Sequence, residues 1–255
     1  MTPLLTLSVI VVSFNMAREL PRTVRTLSPA MQRGLCADQY EIIVDDNGSA
    51  VPPTEEEVRS WSGNAHLLTM GPGAPISPVL AINRAIDMSR GRLVGVFIDG
   101  ARMASPGLLA SALNAAKLHQ RPVIGTPAFH LGPAVQMQSV LSGYNQAVED
   151  QLLETVDWEA DPYRLFEISV LAGSSSGGWF VMPAETNALF LSRDYWLCGG
   201  GYDPAFCCAG GGLANHDVWA RACADQEAQI IMLIGEATFH QFHGGVATNT
   251  AHSPW

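Results

Sequence analysis

The chain has no run of basic residues: 14 Lys and Arg face 24 Asp and Glu, giving a formal net charge of −10 at pH 7. That balance excludes a nucleic-acid surface, which needs a basic stripe. An anionic ligand must instead be met locally, by a metal, a helix N-terminus or a few specific Arg or His side chains. No segment has eighteen consecutive apolar residues, so no transmembrane segment is expected. The opening MTPLLTLSVIVVSFN lacks a basic n-region and reads as a first strand rather than a signal peptide. Cysteine is scarce and odd in number (Cys36, Cys198, Cys207, Cys208, Cys223), with neither C-x-x-C nor disulfide-scaffold spacing. A reduced, cytoplasmic protein is expected, with the vicinal Cys207-Cys208 as filler rather than redox chemistry.

What the chain has is apolar residues, 47% of 255, enough for an ample core in one large α/β domain or two small ones. Three short hydrophobic runs end in polar clusters. Leu7–Ser13 runs into Phe14-Asn15, Glu41–Val44 into Asp45-Asp46-Asn47-Gly48-Ser49, and Leu93–Ile98 into Asp99-Gly100-Ala101-Arg102. Val- and Ile-rich runs of this length read as strands buried on both faces of a parallel sheet. Ligands of open α/β sheets gather at the carboxyl ends of the strands. Asp46 and Asp99 are therefore expected at one crevice.

Between these runs, residues 17–32 carry Leu20, Val24 and Leu27 near helical spacing, with Pro21 in the first turn. Glu55, Glu56 and Glu57 mark an acidic helix start. Residues 65–70 read as a short strand, 71–75 as a turn-rich loop and 77–89 as a helix. Ser105-Pro106 predicts a capped helix over 106–117. Strand and helix thus alternate through residue 120, the pattern of a parallel sheet with helical crossovers. Beyond it come a strand at 122–125, a helix over 134–155, the small-residue run 173–178 and apolar runs at 187–192 and 230–234. There is no repeat and no clean linker, so a single domain over 1–255 is expected, with a less regular second half from 121.

Taken together, SVIVVSFN…RTVRTL, EIIVDDNGS, AINRAIDMSRGRLVGVFIDGA, NALFLSRDYWLCGGGYDPAF and HDVWAR resemble the large bacterial family 2 type of inverting GT-A-fold glycosyltransferases. The resemblance covers roughly residues 6–110 and 187–245, and none is placed over 130–186, the region that varies with the acceptor in such enzymes. It implies a Rossmann-like α/β fold, a mostly parallel central sheet flanked by helices. Residues 1–120 would bind the nucleotide-diphosphate sugar (UDP or similar), and 121–255 would form the acceptor side. It also implies transfer to a carbohydrate or other hydroxyl with inversion. By that reading Ser13, Phe14 and Asn15 lie along the base and ribose, Asp46 accepts hydrogen bonds from them, Asn83 lies near the nucleotide, and Asp99 opens the motif that holds a divalent metal.

The departures from the family pattern bear on chemistry. Its Asp-x-Asp motif reads Asp99-Gly100-Ala101 here, and one carboxylate is a thin shell for a hard cation. Either Asp99 holds Mn²⁺ or Mg²⁺ with His240 and His243, two imidazoles favouring Mn²⁺, or Arg102 supplies the positive charge. The acidic pair expected ahead of a helix is displaced as well. Alignment on Arg221 puts Ala214-Asn215 there, whereas alignment on composition puts His216-Asp217. Asp217 is taken as general base, with His216 as its alternative.

Asp203 reads as a turn or cap residue, and Trp179 and Trp196 as core, although Trp179 could stack on an acceptor sugar. Two other enzyme classes fare poorly. A nucleotide-dependent oxidoreductase would need G-x-G-x-x-G after the first strand, and a nucleotidyltransferase a Gly-rich basic loop; neither is present. A catalytically weak nucleotide-sugar-binding protein on the same fold is the alternative that the missing carboxylates support.

Overall fold

The structure, a computed structural model, describes residues 5–244. In chain order its main elements are β1 (Leu5–Ser13), α1 (Leu20–Thr26), β2 (Tyr40–Asp46), α2 (Glu55–Trp61), β3 (Ala65–Thr69), α3 (Val79–Met88) and β4 (Gly91–Phe97). There follow β5 (Arg102–Ala104), α4 (Leu108–Ala115), β6 (Pro122–Gly125), β7 (Ala128–Leu131), α5 (Gln136–Ser139), α6 (Gln146–Glu154) and β8 (Ser169–Leu171). The chain continues through β9 (Ala188–Ser192), α7 (Arg193–Cys198), α8 (Ala214–Ala224), β10 (Gln229–Met232) and β11 (Thr238–His240).

The main sheet has the order β10-β6-β9-β4-β1-β2-β3. It is parallel except for β9, which runs antiparallel to β4 and to β6. The alternation within β1 shows why its whole run is apolar. Leu7, Val9 and Val11 join the core under α1, α2 and α4, while Ile10 and Val12 join the core under α3, α7 and α8. Successive side chains point to opposite faces, and here both faces are covered. Gly95 in β4 makes room for Phe190 on β9, because a Cβ there would drive into that ring. Trp196 lies buried on the other face, donating Nε1–H to the Val94 carbonyl (3.1 Å) and stacking on Tyr202.

A second sheet, β5-β11-β7-β8, carries its own core of Met103, Phe129, Leu131, Leu153, Trp158, Leu165 and Phe239. Its strands are three or four residues long, and none of β5, β7, β8 and β11 is legible as a sequence run.

Five expectations from sequence need correction, the first being that Trp179, read as core, is 46% exposed. The helix over 17–32 is confined to 20–26, since 27–34 close into turns. The helix over 106–117 begins at Leu108, because Arg102–Ala104 first form β5. Ser105 does not cap that helix through its side chain; its hydroxyl donates to Glu236 Oε2 at 2.5 Å. The long helix over 134–155 is broken, because Gly143 adopts φ +88° and Asn145 then caps α6 afresh. Left-handed backbone of that kind suits glycine and stops a right-handed helix. By contrast, α2 starts with a full capping box between Thr54 and Glu57.

All five cysteines are free thiols. Among the described residues no helix is long and apolar enough to cross a membrane.

Candidate functional site

β1, β2 and β4 deliver Ser13, Asp46 and Asp99 to the same edge of the sheet, with Ser13 opposite Asp46 in register. Each does a different job. The buried Asp46 carboxylate folds its own loop: Oδ2 accepts from the backbone N–H of Gly48 (3.1 Å) and Ser49 (2.9 Å), and Oδ1 from the Ser49 hydroxyl (2.5 Å). Ser49 Oγ in turn accepts from the Asn15 N–H (2.7 Å), and Asn15 Oδ1 from the Ala50 N–H (2.9 Å). Asn15 sits at φ +53°, a left-handed conformation that Asn tolerates better than most residues. The neighbouring Phe14 is left 52% exposed, a bare ring at the mouth of the crevice.

Asn83 is placed elsewhere. Its amide spans the backbone of Tyr202, donating to the carbonyl (2.8 Å) and accepting from the N–H (2.9 Å). Both functions are used in holding the 201–202 turn to α3.

Asp99 lies largely buried beyond β4. Oδ1 accepts from the Ala101 N–H and Oδ2 from Arg102 Nε, both at 2.9 Å. Gly100 keeps this turn tight against Ser13, whose Cβ would lie 3.1 Å from a Cβ at residue 100. The turn leads into β5, which pairs with β11 so that Arg102 faces His240; β11 pairs with β7 so that His240 faces His130. A row of Arg102, His240 and His130 results. His243 closes on it from the segment after β11, with its Nε2 3.0 Å from His240 Nε2. Ligand atoms of Asp99, His240 and His243 all lie within 4.8 Å of one another.

Burial, the largest influence on Asp99, would raise its carboxyl, yet Arg102 and His243 beside it hold the group below the usual range. Burial pushes His240 well below the ordinary imidazole value, and the Arg102 charge pushes it further. His130 falls to about 3 for the same two reasons. His243 is lowered by burial despite the nearby Asp99. The histidines are thus neutral at pH 7, the state that ligates metal.

Several buried polar atoms at this sheet edge have no hydrogen-bond partner among the described residues: Ser13 Oγ, Asn47 Oδ1, Arg102 Nη1, Asn187 Oδ1 and His240 Nδ1. Native interiors leave few such groups, so their clustering marks a place built for a polar ligand. The donor set fits a divalent metal of borderline softness: one carboxylate and two neutral imidazoles. The 3.0 Å between the two Nε2 atoms is close to the roughly 3 Å separating nitrogens that sit about 2.1 Å from one ion at a right angle.

The helix residues at the opposite wall divide. Asp217 turns down α8, accepting from Arg221 Nε at 2.8 Å. Arg221 also donates to the Gly199 and Gly201 carbonyls and lines an open cleft of about 510 Å³ with Ser192 and Tyr195. Ser192 is the register partner of Leu93, so that cleft opens toward the amino end of β4, away from Asp99. His216 instead faces the loop entering β9, with Nδ1 3.2 Å from the Ala184 carbonyl and Nε2 3.7 Å from Glu185 Oε2. Sequence reasoning missed Glu185, Asn187 and His130. The first two precede the apolar run 187–192 or open it, and only the antiparallel course of β9 brings them to this edge. The one available signal for His130 was a histidine beside the strand at 122–125.

Comparisons with known proteins bear on the fold. No family model and no curated protein sequence matches the chain. Solved structures do. Staphylococcus aureus TarS residues 1–349 superpose with a TM-score of 0.59 at 12% identity, over 93% of this chain and 60% of that one. The same protein in complex with UDP-GlcNAc gives 0.62 at 12%, over 97% and 62%. A mannosyltransferase of Pyrobaculum calidifontis, in complex with GDP-Man and Mn²⁺, gives 0.56 at 15%, over 94% and 57%. The chain spans about three fifths of the length of these neighbours. At such identities the likeness speaks for architecture alone, and that architecture is the GT-A fold.

Proposed function

We propose that this chain is a glycosyltransferase that moves a sugar from a nucleotide-diphosphate sugar to an acceptor hydroxyl, with inversion at the anomeric carbon. The observation that carries the reading is the convergence of Asp99, His240 and His243 at the carboxyl ends of the parallel strands, among orphaned buried polar atoms. Neighbours on the same fold bind UDP-GlcNAc and GDP-Man.

In this reading the 13–15 and 46–50 loops, locked together through Asp46, Ser49 and Asn15, receive the nucleoside, with Phe14 as an apolar face. Asp46 acts chiefly by shaping that loop, because its own turn already uses its acceptor positions. Asp99, His240 and His243 would hold a divalent metal, Mn²⁺ on the chemistry of the set. Such an ion neutralises the charge that develops on the leaving diphosphate. Arg102, fixed by Asp99 and with Nη1 unpartnered, adds a second cation beside the same oxygens. On the acceptor side a base removes the hydroxyl proton as the oxygen attacks opposite the diphosphate. Of the two residues that the sequence offers, Asp217 accepts from Arg221 Nε at 2.8 Å, and His216 lies beside Glu185 of the loop that enters β9.

A thermal-shift panel of nucleoside diphosphates, with and without Mn²⁺ and Mg²⁺, tests the reading, since ligands of the native state raise apparent stability. Stabilisation by UDP or GDP that depends on the metal is expected. No shift with any nucleotide would remove it. Binding without turnover would favour the non-catalytic alternative, which Ala101 and Asn215, two uncharged residues at the positions where the resemblance expects carboxylates, keep in play.

A further inference from the structure

We infer that Glu185 is the general base of this transfer, with His216 as its partner, an assignment that rests on the glycosyl-transfer reading above. Glu185 stands in the loop that enters β9. The N–H of Ile98 donates to the Asn187 carbonyl at 3.3 Å, so residues 184–187 leave the sheet beside Asp99. Trp219 Nε1–H holds the start of this loop through the Pro183 carbonyl (3.0 Å), and Thr186 Oγ1 accepts from the Thr126 N–H (3.1 Å). The carboxylate is thus carried on a braced segment rather than a loose one.

Its surroundings suit proton transfer. Buried Asn215 donates Nδ2–H to Oε2 at 2.6 Å, and the same amide nitrogen donates to the Thr186 carbonyl at 3.0 Å. Among the described residues Oε1 meets no donor, and the side chain is 20% exposed, enough for a hydroxyl to approach. The Ala184 carbonyl can only accept, so His216 Nδ1, 3.2 Å away, carries a hydrogen, and the ring sets Nε2 3.7 Å from Glu185 Oε2.

In the step itself the acceptor O–H bond breaks as its oxygen bonds to the anomeric carbon, and the proton passes to the Glu185 carboxylate. The bond from the anomeric carbon to the diphosphate oxygen breaks, and the diphosphate leaves with the electron pair.

The test is hydrolysis of UDP-GlcNAc and GDP-Man by the whole chain with Mn²⁺, water serving as acceptor, beside calorimetric donor binding. Glu185→Gln keeps an oxygen for Asn215 and should lower kcat by about a hundredfold or more, the usual share of a general base, with donor Kd within about twofold. Formate should restore part of the turnover of Glu185→Ala, which a structural role would not allow. Turnover of Glu185→Gln within tenfold of wild type, or a loss confined to donor binding and without formate rescue, overturns the assignment. No turnover of either donor by the wild-type chain overturns the transfer reading and the assignment with it.

Discussion

His240 and His243 meet Nε2 to Nε2 at 3.0 Å, with their rings edge to face. One belongs to the last residue of β11, the other to the segment that follows it. Two imidazole nitrogens at that distance either share one hydrogen or turn two lone pairs to a common cation. Burial and the Arg102 charge hold both rings neutral at pH 7, so neither proton repulsion nor the loss of a charge stands against metal uptake. The Phe242 N–H donates to the buried Glu149 (2.8 Å), and Gln136 Nε2 donates to the His240 carbonyl (2.9 Å). The segment that carries the two rings is therefore anchored from both sides.

If these rings ligate the metal, His240→Ala or His243→Ala should raise by tenfold or more the Mn²⁺ concentration needed for nucleoside diphosphate binding. Chelator should abolish that binding in the wild type. Calorimetry at several Mn²⁺ concentrations checks both, and metal-independent binding in the wild type would count against the site.

Arg102→Ala should weaken donor binding several-fold to a hundredfold, on the order of 1–3 kcal/mol for a charged hydrogen-bonded contact. It also leaves Asp99 without its buried cation, so Arg102→Lys, which retains the charge but not the fork, should recover part of the affinity. A chelator titration on these variants separates the two cations: binding that survives chelator but falls with Arg102→Ala would make the arginine the sole neutralising group.

Asp46→Ala removes three hydrogen bonds inside one loop. We expect weaker nucleotide binding by about 1.5–3 kcal/mol with the sheet intact. Faster amide exchange at Gly48, Ser49 and Asn15 should accompany it. Unchanged affinity in a folded variant would take Asp46 and its loop out of the binding site.

Glu41 predicts a pH dependence of stability away from the site. Burial alone would raise its carboxyl, but hydrogen bonds from Arg90 and Ser8 outweigh burial and hold it below 4.5. A depressed carboxyl contributes stability above its ordinary value and loses it as pH falls through the lowered one. Glu41→Gln should therefore cost on the order of 1–3 kcal/mol at pH 7, and the gap from wild type should close as pH falls through and below the ordinary carboxylate range. Urea midpoints measured from pH 3 to 7 would show it; a constant gap would assign the effect to packing.

The alternating strand and helix runs of residues 5–115, and the ends of β1, β2 and β4, were legible because periodicity and polar punctuation are local properties. A run such as LSVIVVS can be buried on both faces in only a few ways, so Asp46 and Asp99 reach a common edge in any of them. The pairing of His240 and His243 was visible as a spacing of three, and its link to Asp99 came from the family resemblance. Sequence could not show β5, β7, β8 and β11, because strands of three or four residues carry too little pattern and owe their existence to one another's hydrogen bonds. Nor could it show the break at Gly143, where one left-handed residue overrules helical spacing on either side. The direction of β9 was decided by tertiary packing alone. An apolar run reads the same for a parallel or an antiparallel neighbour, yet only the antiparallel course brings the segment of Glu185 and Asn187 in at the carboxyl end of β4. The surroundings of Asp217, read from sequence as the general base, were likewise decided in three dimensions. In three dimensions residues four apart share a helix face, and its carboxylate goes to Arg221.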